Sequence, residues 1–229
     1  MEKKQSDLCF EIIRRFHKAG ILNDFILIGS WCVHFYREYF SGVSSVALTT
    51  IRTRDIDFLI DKPARIKQEV DIQELLKDLG FVTIFRGREG YIKFDHPDLI
   101  LEFLVPEKGR GTDKPHFLLK LGINAIPLRF VHFLSANTIK VKIEDFYLTL
   151  PHPINFALHK LIISQRRIKE EKAIKDRNAA IEILKALVDK GESSNIKIVF
   201  NSAPLTWQRK IIKGLGDVIK EKNIAEIFK

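Results

Sequence analysis

Two aspartates separated by one residue are the most chemically suggestive feature of the sequence. Asp55 and Asp57 flank Ile56 in the run TRDIDFLI at 53–60. This run favours a β-strand, in which residues two apart share a face. Two neighbouring carboxylates repel each other unless a cation neutralises them, and oxygen ligands of this kind suit Mg²⁺. The alternative is a pair of solvated aspartates on an exposed strand.

Glu102 is a single acid within the apolar run 99–105. A near-continuous apolar run predicts a strand buried on both faces. An uncompensated carboxylate in such a strand is costly, so a cation is expected to meet it. The sequence leaves two kinds of cation open: a metal ion shared with the aspartates, or a basic side chain such as Arg52, Arg54 or Lys93.

Gly29 and Ser30 stand between two predicted elements. Residues 25–28 favour a short strand, and residues 31–40 have the pattern of a buried helix. The N-terminus of a helix offers unpaired N–H groups and a positive dipole end, both of which suit phosphate. The alternative is a glycine turn followed by a serine cap, as many strand–helix connections have.

Further patterns predict a mixed sheet. Residues 55–60 form one expected strand, and an amphipathic helix is expected over 66–79. Three more strand-like runs follow at 81–85, 91–94 and 99–105, separated by turn signals. Sequential hairpins of this kind favour a mixed rather than a purely parallel sheet.

The pattern changes near Pro153, and helical periodicity then dominates. Residues 138–150 could be strand or loop. Helical patterns cover three later segments: 153–167, 171–190 and 205–228. The sequence therefore predicts an α+β fold, with a mixed β-sheet domain and flanking helices over residues 1–148 and a helical C-terminal domain over residues 149–229.

Composition is that of an ordinary globular protein, with 45% hydrophobic and 29% charged residues. The net charge of +9 favours polyanionic partners such as nucleotides or nucleic acid. Cys9 and Cys32 are expected to be reduced core thiols. No apolar run approaches the roughly 20 residues that span a bilayer, so we expect no membrane association and a cytoplasmic location. Motifs typical of zinc hydrolases and serine hydrolases are absent from the sequence.

The order of these features resembles that of a known superfamily. Gly29-Ser30, then Asp55-Ile56-Asp57, then one acid on a later strand is similar to the minimal nucleotidyltransferases of the DNA polymerase β superfamily. The run 53–58 resembles more narrowly the AbiEii-type branch of abortive-infection toxins. That branch also has a Lys, a downstream Arg and a Lys-Asp pair in its helical part, and similar residues occur here: Lys160, Arg166-Arg167 and Lys175-Asp176.

The resemblance covers roughly residues 25–190 and implies a metal-dependent nucleotidyltransferase domain followed by the helical domain. It implies transfer of NMP from an NTP such as ATP, with Mg²⁺ or Mn²⁺, to a hydroxyl of RNA (including the 3′ end of tRNA), of a protein or of a small molecule. An antitoxin partner is also implied. The expected catalytic and metal-binding residues are Asp55, Asp57 and Glu102. The expected NTP-binding residues are Gly29, Ser30, Lys160 and Arg167, with Arg166 as an alternative to Arg167.

Two departures from the family pattern bear on activity. The segment between Ser30 and Asp55 is longer than usual, which predicts an inserted loop at 41–53. The third acid is Glu102 where Asp is usual, and its longer arm could shift a metal. A non-catalytic nucleic-acid-binding or regulatory module that keeps this fold is therefore the competing hypothesis.

Overall fold

A computed structural model describes residues 2–43, 53–86, 90–107, 114–220 and 222–228. The chain divides into two compact units, which are described one at a time. The first comprises the described residues of 1–35 and 50–151, and the second those of 36–49 and 152–229. Most of the predicted loop at 41–53 lies outside the described residues.

The first unit contains a mixed sheet. Within the described residues its strands are β1 (Ile26–Ile28), β2 (Asp55–Leu59), β3 (Val82–Arg86), β4 (Tyr91–Asp95), β5 (Ile100–Pro106), β6 (His116–Leu118) and β7 (Ile123–Leu128). The order is β1-β2-β5-β4-β3, and β7 pairs with β5 and β6. Strands β2 and β5 are parallel, whereas β1 and β4 are antiparallel to their neighbours. The predicted mixed sheet is confirmed.

The first unit also contains a separate hairpin and several helices. Residues 138–150, which the sequence left open, form strands β8 (Thr138–Ile143) and β9 (Phe146–Pro151). The helices that begin in this unit are α1 (Glu2–Lys18), α2 (Trp31–Tyr39), α3 (Ile72–Leu76) and α4 (His132–Ser135).

Helix α3 is much shorter than the helix predicted over 66–79. The N–H of Val70 donates to the carbonyl of Lys120 at 2.8 Å, so the chain before α3 is bonded to another segment. The Asp71 side chain then caps the helix by accepting from the N–H groups of Gln73 and Glu74. A tertiary hydrogen bond thus delays the helix that the periodicity predicts.

An aromatic core covers one face of the sheet. Phe58 of β2 and Phe103 of β5 are at most 1% exposed, and both pack against Phe16 of α1. The rings of Phe16 and Phe58 meet edge to face with centroids 5.3 Å apart, a favourable aromatic geometry. Phe25 joins the same cluster at 5.5 Å from Phe103. These contacts fix β2 and β5 against α1.

The opposite face of the sheet is apolar at one end only. Ile28, Leu59 and Leu104 form a buried cluster there with Val131 and Leu134, which lie at and within α4. Leu59 and Leu104 are paired across β2 and β5. The three acids Asp55, Asp57 and Glu102 lie earlier along β2 and β5 on this face, so the face becomes acidic there.

The second unit is helical. Its described helices, after the last residues of α2, are α5 (Pro153–Ser164), α6 (Glu170–Asp189), α7 (Ser193–Ser202), α8 (Leu205–Leu215) and α9 (Lys222–Ala225). Helix α5 is buried along nearly its whole length and packs against α6 and α8. Helix α8 approaches closely at Gly214, where a Cβ would lie 2.8 Å from the Leu161 carbonyl oxygen. In the described part of the chain, no helix has both the length and the apolar character that a membrane span requires.

Truncation of a core aromatic should destabilise the first unit strongly. We expect Phe103→Ala to lower the free energy of unfolding by about 3–5 kcal/mol, because it removes the ring that contacts Phe16, Phe25 and Phe58. Phe117→Ala is the matched control, since Phe117 is 56% exposed, and should change stability by less than about 0.5 kcal/mol. Urea unfolding followed by tryptophan fluorescence measures both, and equal losses would contradict the core assignment.

Candidate active site

Strand register brings the three predicted acids onto one face of the sheet. In the parallel pair β2–β5, Asp57 is the partner of Glu102 and Asp55 the partner of Ile100. Ile56 is fully buried on the aromatic side, so Asp55 and Asp57 point to the other side. Glu102 shares that side because register partners in neighbouring strands share a face. All three acids are partly buried.

Gly29 lies directly against Asp57. Ile28, the last residue of β1, is the register partner of Asp57, and Gly29 follows it with φ +76°. A Cβ on Gly29 would lie 2.4 Å from Asp57 Oδ2, which is closer than any real contact. The position therefore needs glycine for two reasons: its left-handed backbone and the carboxylate that fills the side-chain space. Ser30 comes next and leads into α2, with its carbonyl accepting from the N–H of Val33 at 3.2 Å.

Glu102 is met by a lysine. Phe94 of β4 pairs with Leu101 of β5, so the antiparallel register places Lys93 opposite Glu102. The Lys93 ammonium forms an ion pair with Glu102 Oε1, and the two side chains are only 18% and 14% exposed. Of the cations that the sequence left open for Glu102, the structure places Lys93 there. Arg54 instead donates to the carbonyl of His96 at 2.6 Å, and Arg52 lies outside the described residues.

The fit to a divalent metal is strongest at the two aspartates. Asp55 and Asp57 offer carboxylate oxygens on one face, with the glycine turn pressed against one of them. The third acid is engaged with Lys93. In keeping with this, no group of three or more His, Cys, Asp or Glu side chains within the described ranges is arranged to hold a metal ion. Asp55 and Asp57 thus have the ligand type and the spacing that suit a divalent cation, whereas Glu102 would first have to exchange its lysine.

In the second unit, the predicted cations Lys160 and Arg167 converge on Asp176. The Lys160 ammonium donates to Asp176 Oδ1 at 2.5 Å, and Arg167 Nε donates to Oδ2 at 2.7 Å. Lys160 and Asp176 are each 5% exposed, whereas the Arg167 side chain is 40% exposed. The cluster orients Arg167 through one nitrogen and leaves much of its side chain at the surface.

The reason for this convergence differs from the predicted one. In the helix predicted over 153–167, Lys160 and Arg167 would be seven residues apart and so on one face, but α5 ends at Ser164 with Gln165 as its C-cap. Arg167 lies in the following turn, and Asp176 of α6 draws the two cations together. Sequence reasoning named Asp176 only as half of a Lys-Asp pair and missed its central position, because Glu170 and Glu171 lie in the same basic stretch and nothing local sets Asp176 apart.

The electrostatics of the cluster favour an ionised Asp176. Burial by itself would raise the pKa of the Asp176 carboxyl, but the charges and hydrogen bonds of Lys160 and Arg167 outweigh it, so that the pKa is lowered from its ordinary value of 3.8. A buried carboxylate with two cationic partners is a fully compensated group.

A second polar network surrounds His152, to which the sequence analysis assigned no role. His152 Nδ1 accepts from the N–H of Ile154 at 3.3 Å and so caps α5. Its Nε2 therefore carries the hydrogen and lies 3.2 Å from the hydroxyl of Tyr39, which donates to Glu192 Oε1 at 2.7 Å. Burial is the main reason that the pKa of His152 is lowered, so the ring stays neutral and keeps its capping bond at neutral pH.

The contact between Gly29 and Asp57 can be tested with a pair of glycine substitutions. Gly29 and Gly90 have nearly equal φ angles of +76° and +74°, but a Cβ on Gly90 would have nothing within 4 Å. Gly90→Ala should cost only the left-handed backbone strain, about 1–2 kcal/mol. Gly29→Ala should cost about 1–3 kcal/mol more, because the methyl group must displace the Asp57 carboxylate. Urea unfolding gives both values, and equal costs would mean that Asp57 does not occupy this space.

The charge cluster predicts a loss of stability in acid. Because the folded-state pKa of Asp176 is below 3.8, its ionised form stabilises the protein fully above that pH, and the contribution is lost as the pH falls toward the folded-state pKa. Asp176→Asn should cost about 3–5 kcal/mol at neutral pH, since it leaves Lys160 buried without its carboxylate. Its cost should shrink in acid. Asp189→Asn, at an exposed position of α6, is the control and should change stability by less than about 0.5 kcal/mol. Urea unfolding between pH 2.5 and pH 7 measures these differences, and a pH-independent cost would contradict the assignment.

Comparisons with known proteins identify the family of the chain. A family model described as Nucleotidyltransferase matches residues 8–203. The match does not single out the AbiEii-like branch, which stays a prediction. A search of curated proteins found no significant match.

Two solved structures are similar to the chain at low identity. One is an antigenic nucleotidyltransferase-like protein from Paracoccidioides brasiliensis, at 12% identity and a TM-score of 0.47, with 99% of this chain and 92% of that chain covered. The other is the antibiotic-resistance factor ANT(2'')-Ia, at 12% identity and a TM-score of 0.45, with 83% and 91% covered. The family match rests on the sequence and spans most of the 229 residues, and on that ground the chain belongs to a nucleotidyltransferase family.

Proposed function

We propose that the protein transfers a nucleoside monophosphate from a nucleoside triphosphate to a hydroxyl group. The observation that carries the proposal is the contact between the glycine turn at Gly29 and the carboxylate of Asp57. Asp57 is in turn the register partner of Glu102 on the neighbouring strand. A turn suited to phosphate and a face of carboxylates suited to a cation thereby coincide. Nucleotidyl transfer needs both at one place.

The reaction joins the acceptor oxygen to the α-phosphorus. The bond from this phosphorus to the oxygen that bridges the α- and β-phosphates breaks, pyrophosphate leaves, and the hydroxyl proton passes to a carboxylate of the acidic face or to water. A divalent ion, Mg²⁺ or Mn²⁺, would be held by Asp55 and Asp57 and would offset the charge of the triphosphate. Glu102 completes the acidic face from the neighbouring strand.

The protein supplies phosphate donors from the backbone and from basic side chains. The N–H groups of Ser30 and Trp31 are suited to a β- or γ-phosphate, because they lie at the positive end of α2. The roles of Lys160 and Arg167 in triphosphate binding rest on the family resemblance. Of these two, Arg167 has the exposure that an anion ligand needs, while Lys160 holds Asp176 in place.

The acceptor is a separate question, for which charge is the available guide. Residues 152–229 contain 16 Lys and Arg but nine Asp and Glu, so most of the net charge of +9 lies in this segment. This excess favours a polyanionic acceptor such as RNA over a neutral small molecule. The same excess supports the second candidate function, a non-catalytic nucleic-acid-binding module.

Label transfer separates these two functions. The protein would be incubated with Mg²⁺, each α-³²P-labelled NTP in turn, and a mixture of total RNA and protein. We expect label to appear on a macromolecule, and Asp57→Asn to reduce the transfer rate by at least about 100-fold, since it removes a charged group essential for the cation. Asp7→Asn, at an exposed position of α1, is the matched control and should leave the rate unchanged.

Circular dichroism of each variant verifies that loss of transfer is not loss of folding. If the intact protein binds RNA in a filter assay but neither binds NTP nor transfers label, the binding-module function is correct and the transferase proposal is wrong.

A further inference from the structure

We infer that Lys93 is a built-in cation that takes the place of a second metal ion at Glu102, so that the site holds one divalent ion, at Asp55 and Asp57. This inference rests on the proposed function and refines it. Nucleotidyl transfer through two metals would require the third acid to bind the second ion. Here that acid already has a cation supplied by the chain.

The strand order sets the position of Lys93. Glu102 lies on β5, between Asp57 on β2 and Lys93 on β4. Adjacent strands are about 4.8 Å apart, so both neighbours are within reach of the Glu102 carboxylate. Of these two neighbours, Lys93 is the one that forms an ion pair with Glu102. Glu reaches farther from its strand than Asp would, which suits it to bonding across to a lysine.

The surroundings of the ion pair oppose its exchange for water. Both side chains are more than four-fifths buried, so neither charge is well solvated once the other is removed. The backbone of Lys93 is also held on its other side, where β3 pairs Ile84 with it. A metal ion that bound Glu102 would have to expel a lysine whose strand is fixed at both edges.

The charge balance of the acidic face is consistent with a single ion. Asp55, Asp57 and Glu102 together carry three negative charges when ionised, and Lys93 carries one positive charge. A second divalent ion next to the Lys93 ammonium would place like charges side by side in a poorly solvated site. Lys93 does not have to touch substrate for this role; it is a positioning residue that acts through Glu102.

Counting bound metal tests the inference without any measurement of activity. Mn²⁺ would be titrated into the protein and the free ion measured by electron paramagnetic resonance. We expect one Mn²⁺ per chain for the wild type and two for Lys93→Met, which frees Glu102 while keeping the side-chain bulk. Lys93→Arg should keep the count at one, because the cation is retained. Asp57→Asn should weaken the first site at least 10-fold.

Reductive methylation of lysines gives a second readout on the wild type, which removes any dependence on whether Lys93→Met folds. Lys93 should resist methylation both without and with saturating Mg²⁺, because the ion at the aspartates leaves the ion pair intact. Lys140, exposed on β8, should react fully in both conditions and serves as the internal reference. Peptide mass spectrometry quantifies each site.

The outcomes that overturn the inference differ from those that overturn the proposed function. Two Mn²⁺ in the wild type, one in both wild type and Lys93→Met, or methylation of Lys93 on addition of Mg²⁺ would show that Lys93 does not replace a metal. Transfer activity would be untouched by these results. A wild type that binds no Mn²⁺, with or without NTP, would overturn both the inference and the proposed function.

Discussion

Repulsion between carboxylates on neighbouring strands is the constraint on which the first unit depends. Asp57 and Glu102 are register partners, and nothing in the strands themselves makes their closeness favourable. Their backbones are nonetheless held together, because Phe58 and Phe103 bury the opposite face against α1. Burial of the aromatic face stabilises the sheet and so offsets the repulsion between the carboxylates on the acidic face. Such an arrangement is stable only if each carboxylate also has compensation close by.

In both units a buried carboxylate is compensated by basic side chains, but the ion pair of the first unit is more exposed than the Lys160–Asp176 pair of the second. Glu102 pairs with the ammonium of Lys93, and Asp176 pairs with the ammonium of Lys160 and the guanidinium of Arg167. Asp176 is compensated twice, which is why its pKa is lowered despite burial. Asp55 and Asp57 lie on the same acidic face, with their carboxylates two residues apart on one strand. A divalent ion is the partner that such a pair suits.

The sequence predicted what local patterns control. Alternation around Ile56 was enough to place Asp55 and Asp57 on one face, and the apolar run around Glu102 was enough to predict a central strand. The partner of Glu102 stayed open between a metal ion and a basic side chain, because the choice depends on how β4 registers against β5. The predicted length of α3 was wrong for a similar reason, because the hydrogen bond from the Val70 N–H to the distant Lys120 carbonyl prevents the helix from starting where the periodicity begins. Tertiary pairing, which a local window does not contain, decided each of these points.

The contact between Gly29 and Asp57 links the two halves of the proposed chemistry more closely than either motif suggests. Because β1 runs antiparallel to β2, the end of β1 arrives beside the middle of β2, and the turn that follows must pass the Asp57 carboxylate. Only a residue without a side chain leaves space there. The same atom that would hold a cation therefore abuts the turn that would hold phosphate, and a cation at Asp57 necessarily lies next to the start of α2. Sequence spacing between the two motifs can vary widely without disturbing this, since the register of β1 on β2 sets the distance.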